Sequence, residues 1–286
     1  MGLLAKAPKT QIDYLRYLKY WDGIFGDMPL SKIKAPQVVR EREIMESTPI
    51  IREKGENGNG KMRSNATVNR YLATLSAVFT HCMAELFWME VNPCTPVRFL
   101  REPDGRERML TLEEWERLKV AANEVSENLY LAIILAVGTG GRKMEVWGMN
   151  AKQIEWKRDT VTFDKTKRDV KRTVSIPKDA MTLLRNLGRV GDQVIFPATA
   201  RGQVGGSFDF RKSFEMALEK AGLGDFSWHG LRHTSASFMV MSGVDTQTLM
   251  KIFGWKSEKM ASRYVHLYIE HKEEAQLRMA EKFLKI

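Results

Sequence analysis

The chain has 286 residues with 43% hydrophobic and 28% charged content, which excludes a disordered chain and leaves length for one large domain or, more naturally, two with real cores. No run approaches the roughly 18 apolar residues of a membrane span, and Met1 to Thr10 has no apolar signal region, so an intracellular chain with no membrane partner is expected. Two cysteines, Cys82 and Cys94, exclude a disulfide scaffold or a four-cysteine zinc site, and 45 Lys and Arg against 35 Asp and Glu give a net charge of +10, which favours nucleic acid as the partner.

Between Thr10 and Phe25 the apolar residues Ile12, Leu15, Leu18, Trp21 and Phe25 fall three or four apart and predict a first helix. Ser31 is placed to cap a second, running through Val38, Val39 and Ile44. Arg52 to Asn65 is a polar, basic, glycine-rich loop. Within it Gly55 to Lys61 approaches a phosphate-binding loop, but Met62 stands where a Ser or Thr would hold magnesium, and no strand precedes it, so a flexible connection near DNA phosphate is expected instead of nucleotide hydrolysis. Val68, Leu72, Leu75, Phe79 and Met83 predict a long third helix ending near Asn92-Pro93. Residues 1–100 therefore read as a small helical domain and 101–108, with Pro103-Asp104-Gly105, as a linker.

The second domain, 109–286, opens with a Thr111-x-x-Glu114 capping box. An apolar helix follows over Leu131 to Val137. Ile154 to Pro177 then clusters β-formers on either side of the charged stretch Asp164 to Arg172, which predicts a β-hairpin or small sheet. Leu183–Leu187, Phe208–Ala221, His229–Gly243, Thr246–Phe253 and Ser257–Leu284 are expected to be helical. The fold class is mainly α with a small β-sheet.

Four separated segments carry candidate chemistry. Arg142, in Thr139-Gly-Gly-Arg-Lys-Met-Glu145, appears where the chain leaves a buried helix, with Glu145 placed to pair with it. The hairpin stretch holds five basic residues against two acidic ones. His229 and Arg232 share a helical face three residues apart. Trp255 precedes Tyr264 by nine residues. His229 and His233, four apart, also resemble a metal-ligand pair, but no third ligand accompanies them and no metal site is expected. Two arginines can clamp the nonbridging oxygens of one phosphodiester and neutralise the charge that grows as phosphorus becomes five-coordinate. A Tyr hydroxyl with a pKa near 10 needs a base and a positive field to attack, and His229 can supply the base. A hairpin lysine can protonate the leaving 5′-oxygen. No paired-carboxylate set of the kind that holds two magnesium ions is present.

These residues make the chain resemble the tyrosine recombinase, or phage integrase, family over almost its whole length. The matching motifs are the Thr-Gly-x-Arg-x-x-Glu box at Arg142, a hairpin Lys, the His-x-x-Arg box at His229 and Arg232, Trp255 in the His-or-Trp position and Tyr264. Asn65-Ala-Thr-Val-Asn-Arg70-Tyr-Leu and Asn92-Pro93 are similar to the family's helical, SAM-like core-binding domain. Alignment of Arg172-Thr-Val-Ser-Ile-Pro177 favours Lys167 as the hairpin lysine, with Lys165 as the alternative. Trp255 can donate an indole N–H and pack but not shuttle protons, and Gly230 stands where an Asp is frequent.

The resemblance implies a two-domain clamp on duplex DNA attachment sites that works as a homotetramer in a prokaryotic host. Tyr264 would form a 3′-phosphotyrosyl bond and free a 5′-hydroxyl, conserving the phosphodiester energy, so no cofactor is implied. The C-terminal tail, with Ile269, Leu277, Ala280 and Leu284 in rough helical register, would dock on a neighbouring protomer or on its own domain. Accessory DNA-bending or directionality proteins are further implied partners. The resemblance puts Met1 about where a core-binding domain begins, which leaves open whether an arm-site module belongs ahead of it. The rival readings are a type IB topoisomerase-like enzyme that relaxes DNA and a catalytically silent DNA-binding protein of the same fold.

Overall fold

In the computed structural model, which describes residues 8–50, 60, 62–103, 108–164, 170–198, 208–264 and 280–281, the first helix α1 (Pro8–Phe25) buries Tyr17, Trp21 and Phe25 as one stripe at successive steps of four. Ile12 and Leu15, expected on that stripe, are instead 67% and 56% exposed. The register is set by the aromatic residues, because Trp21 packs on Phe25 and donates its indole N–H to the Tyr71 carbonyl at 2.8 Å. Helix α2 (Ala35–Ser47) begins after a 3₁₀ turn, Leu30–Lys32. Ser31 lies inside that turn and is not the cap. The side chain of Gln37 takes the N-terminal role by accepting the Lys34 backbone N–H at 2.9 Å.

Helix α3 (Asn65–Ala84) opens on Ser64, whose hydroxyl accepts the Thr67 N–H at 3.3 Å. It stops at Ala84, well short of the expected Asn92. Phe87 takes φ +56°, which a continuing helix does not allow, and the Trp88 N–H turns back to the Cys82 carbonyl. Asn92 serves the fold in another way, donating to the Ser76 carbonyl and to Thr80 Oγ1, both at 3.0 Å. The near-P-loop segment lies outside the described residues except for Gly60. These elements belong to one compact unit, Met1–Gly105; the second is Arg106–Ile286.

The second unit starts with α4 (Leu112–Val125). Its capping box is formed: Thr111 Oγ1 accepts the Glu114 N–H at 3.2 Å and Glu114 Oε2 accepts the Thr111 N–H at 3.0 Å. Helix α5 (Glu127–Thr139) is apolar on nearly every side, as a helix enclosed by others must be. It is followed by α6 (Lys143–Trp147) and an antiparallel sheet, β1 (Ile154–Glu155), β2 (Thr160–Phe163) and β3 (Arg172–Ser175), in that spatial order. Val161 pairs with Val174 and Phe163 with Arg172, so alternate residues reach the core.

Helices α7 (Lys178–Asn186), α8 (Arg211–Ala221) and α9 (Trp228–Met241) pack around α4 and α5, and α10 (Thr246–Phe253) packs on α9 and β3. The chain then forms a short α11 (Glu258–Ala261) and a 3₁₀ turn, Ser262–Tyr264. Up to Tyr264 the long helix expected over Ser257–Leu284 is therefore broken into two turns. Of the remaining tail, only residues 280–281 are described. Among the described residues no helix is long and apolar enough to cross a membrane.

Candidate active site

The site starts at the end of α5. Gly140 has φ +61°, and a Cβ there would lie 2.7 Å from the Phe253 ring, so both the backbone turn and the close approach require glycine. This reversal turns the Gly140 carbonyl toward Arg232 of α9, whose guanidinium donates to it and, through Nη2, to the Phe253 carbonyl at 2.8 Å. Arg232 is only 5% exposed and lies over the Phe253 ring at 4.8 Å, with Trp255 at 5.8 Å.

Two residues beyond Gly140, Arg142 leads into α6. Its backbone N–H donates to Glu145 Oε2 at 2.7 Å and its Nη1 to Oε1 at 3.3 Å. The same carboxylate receives the buried Arg172 of β3, Nη1 at 3.1 Å and Nη2 at 2.5 Å, while that guanidinium lies 4.6 Å from the Phe163 ring centre. Glu145 thus joins the chain at Arg142 to the last strand of the hairpin. In the sequence Arg172 is one of five basic residues in a charged stretch and anchors the alignment of the hairpin lysine, but nothing there gives it a role of its own.

Burial pushes the Glu145 carboxyl up, but the hydrogen bonds from Arg172 and the Arg142 backbone, with the charges of both arginines, outweigh it and hold the carboxyl below its ordinary value. Replacing Glu145 with Ala leaves Arg172 charged and buried without this partner, and is expected to cost about 3–5 kcal/mol in unfolding free energy. Urea denaturation at pH 7 measures it; a loss below about 1 kcal/mol contradicts the role of the pair. The native carboxyl has the depressed pKa, so its contribution is present above the unfolded value and is lost as pH falls through the folded one. The difference between wild type and variant should therefore shrink in acid.

Helix α9 begins at Ser227, whose hydroxyl accepts the Gly230 N–H at 3.3 Å. A Cβ at Gly230 would lie 2.5 Å from the buried Phe226 ring, so with Phe226 in place the position takes only glycine. His229 and His233, one turn apart, face each other edge to face with ring centres 4.8 Å apart. Tyr264, 6% exposed, lies parallel to Trp255 at 4° and 5.7 Å. Its hydroxyl is 2.6 Å from Nδ1 of His233.

Burial depresses the pKa of His229, and the charges of Arg232, Arg142 and Arg263 depress it further. His233 is pushed down to about 4, first by burial and then by His229, Arg263 and Arg232. Both imidazoles are neutral at pH 7, beside the positive charges of Arg142, Arg232 and Arg263.

Arg142, Glu145, His229, Arg232, Trp255 and Tyr264, named from the sequence in separate segments, are thus brought together. Lys165 and Lys167 lie outside the described residues. In the sequence His233 reads only as half of a metal-ligand pair; its signal as a site residue is the four-residue spacing from His229 next to Arg232. Among the described residues no group of three or more His, Cys, Asp or Glu is placed to hold a metal ion.

Residues 108–271 match the phage integrase family. The chain is 28% identical over 209 residues to the shufflon-specific DNA recombinase of Escherichia coli, covering 73% of this chain and 53% of that protein. It spans a little over half the length of such curated relatives. Among solved structures, the Tn1549 transposon integrase in complex with transposon right-end DNA superposes with a TM-score of 0.70 at 16% identity, over 98% of this chain and 95% of that one. A lambda integrase tetramer bound to a Holliday junction gives 0.68 at 21% identity, over 91% and 72%. These two likenesses concern the fold, and the family match covers more than half of the chain, including every residue from Arg142 to Tyr264: the chain belongs to the phage integrase family.

Proposed function

We propose that the chain is a site-specific DNA recombinase that cleaves and rejoins duplex DNA through a 3′-phosphotyrosyl intermediate, for integration or excision of a phage or mobile element. The observation that carries this reading is the convergence of Tyr264, two imidazoles and the guanidinium groups of Arg142 and Arg232 in one positively charged pocket. Arg142 and Arg232 clamp the scissile phosphate and offset the charge that grows in the transition state. Tyr264 attacks, the hairpin lysine, Lys167 or Lys165, protonates the leaving 5′-oxygen, and Trp255 packs the nucleophile's ring. Glu145 holds the backbone at Arg142 and the hairpin strand in fixed relation. The 5′-hydroxyl of a partner duplex then attacks the phosphotyrosine, so the phosphodiester is remade at no net loss.

In this reading residues 1–100 are a core-type DNA-binding domain, 101–108 a linker and 109–286 the catalytic domain. Four copies act together on double-stranded attachment sites in the cytoplasm of a prokaryotic host. The tail after Tyr264 docks on a neighbouring protomer or on its own domain, and DNA-bending or directionality proteins bias the outcome. Two comparisons support the assignment: the E. coli relative is a DNA recombinase, and the lambda neighbour is a tetramer on a Holliday junction.

The test is capture of covalent protein–DNA adducts under denaturing conditions from a library of nicked duplex fragments of the source genome. A nick beside the cleavage point releases the short product and traps the enzyme. Adducts enriched for one sequence are expected; DNA binding without any adduct favours the silent binding protein.

A further inference from the structure

Two imidazoles stand at the tyrosine, and the one in contact with its hydroxyl is not the histidine of the His-x-x-Arg box. His233 follows Arg232 directly, and its Nδ1 lies 2.6 Å from Tyr264 Oη. A nitrogen and a hydroxyl oxygen at that distance share a proton, so either the phenol donates to an unprotonated Nδ1 or an Nδ1–H donates to the phenol oxygen.

The surroundings set the charge of the ring. His229 and Arg232 on the same helix, and Arg263 on the turn that carries Tyr264, all disfavour a charged imidazole at 233, as does burial, so the ring is neutral with a single N–H. A phenol ordinarily titrates near 10 and so carries its proton at pH 7. A neutral ring carrying its hydrogen on Nε2 presents a lone pair at Nδ1 and takes the phenolic hydrogen. Tyr264 is also stacked on Trp255, so the ring plane is fixed and the hydroxyl has little freedom to seek another orientation.

We propose that His233, rather than His229, accepts the Tyr264 proton during strand cleavage. This rests on the recombinase reading above. As the Oη–P bond forms and the P–O5′ bond breaks, the Oη–H proton passes to Nδ1 of His233, giving an imidazolium. The leaving O5′ takes its proton from a separate donor, the hairpin lysine. In the rejoining step a 5′-hydroxyl attacks phosphorus and returns a proton to the lysine, while the departing Tyr264 oxygen recovers its proton from His233. Protons and electron pairs balance over the cycle, and no oxidant or metal enters.

The charges make this base conditional on substrate. Without DNA, a ring titrating at about 4 is a poor acceptor for a phenolic proton. A phosphodiester bound between Arg142 and Arg232 brings negative charge that offsets the guanidinium repulsion, moving the imidazole back toward its ordinary pKa near 6.5. The nucleophile is therefore activated when a phosphate fills the pocket and is protected as a neutral phenol otherwise.

Two measurements decide the matter. In the DNA-free protein, side-chain ¹⁵N spectra of the histidines, assigned with His233→Asn and His229→Asn, should show His233 as the neutral Nε2–H tautomer from pH 8 to about pH 5. An Nδ1–H tautomer overturns the proposal. On a nicked duplex of the sequence recovered by covalent capture, single-turnover adduct formation should fall about 100-fold or more in His233→Asn, with DNA affinity unchanged. Asn places an acceptor near the Nδ1 position but takes no proton, so a purely orienting role predicts a near wild-type rate for it. Difluorotyrosine at 264, with its more acidic phenol, should restore most of the rate lost in His233→Asn. Wild-type rates in His233→Asn, or the loss and the fluorotyrosine rescue appearing in His229→Asn instead, overturn this inference while leaving the recombinase reading intact. Absence of adducts from wild type removes both.

Discussion

Tyr264→Phe should reduce covalent adduct formation by at least about 10⁴-fold while leaving DNA affinity within a few-fold of wild type. The hydroxyl is the attacking atom in the proposed reaction, and Phe has nothing to offer phosphorus. The ring is expected to stay where it is, because its stacking on Trp255 and its burial do not involve the oxygen. One hydrogen bond to His233 is lost, which costs the protein about 1–3 kcal/mol if Nδ1 is left unpaired. Binding is another matter. In a chain of net charge +10 affinity for duplex DNA comes chiefly from neutralised phosphates and released counterions, and the dependence of log K on log salt counts those contacts. The slope should therefore be the same in both proteins. Parallel loss of adducts and affinity, or a changed slope, contradicts the nucleophile assignment; residual adducts at wild-type level place the attacking group elsewhere.

The helical character of both units and the position of the small sheet were legible in the sequence, since apolar periodicity and β-branched clusters report burial directly. The capping box at Thr111 and the bounds Thr246–Phe253 followed from local chemistry that tertiary contacts did not override. Where the reading failed, long-range packing had decided. Ile12 and Leu15 fit a helical period, but Tyr17 and Trp21 own the buried stripe because α3 offers them ring contacts and a carbonyl. The end of α3 is set by a positive φ at Phe87, which no apolar pattern signals.

The candidate site shows the same division. Motif spacing found Arg142, His229, Arg232, Trp255 and Tyr264, whose chemistry is tied to short local boxes. Arg172 and His233 were missed because their meaning lies in partners far along the chain: Glu145 is 27 residues before Arg172, and Tyr264 is 31 residues after His233. A charge in a basic run and a histidine beside an arginine have many bland explanations until those partners are in view.

Arg232→Lys should lower adduct formation by about 10²–10³-fold at pH 7, even though the positive charge is kept. A guanidinium has five N–H donors in a rigid plane. In Arg232 two of its amino groups reach the carbonyls of Gly140 and Phe253, which come from the end of α5 and the end of α10. The plane that joins these two helix ends is the same plane that would present hydrogen bonds to a phosphate oxygen, so holding the fold and stabilising the transition state use one geometry. A lysine ammonium is a point charge on a flexible stem and cannot span both carbonyls while facing phosphate in a fixed direction. Arg232→Ala goes further, leaving both buried carbonyls without this donor at about 1–3 kcal/mol each, so its loss of cleavage will be mixed with loss of stability. The Lys variant is therefore the informative one: its melting temperature should fall modestly, its salt slope for DNA binding should change by at most about 1, and its cleavage should fall far more than either. Full cleavage in Arg232→Lys would mean that charge alone is sufficient at this position and that the planar clamp on phosphate is wrong.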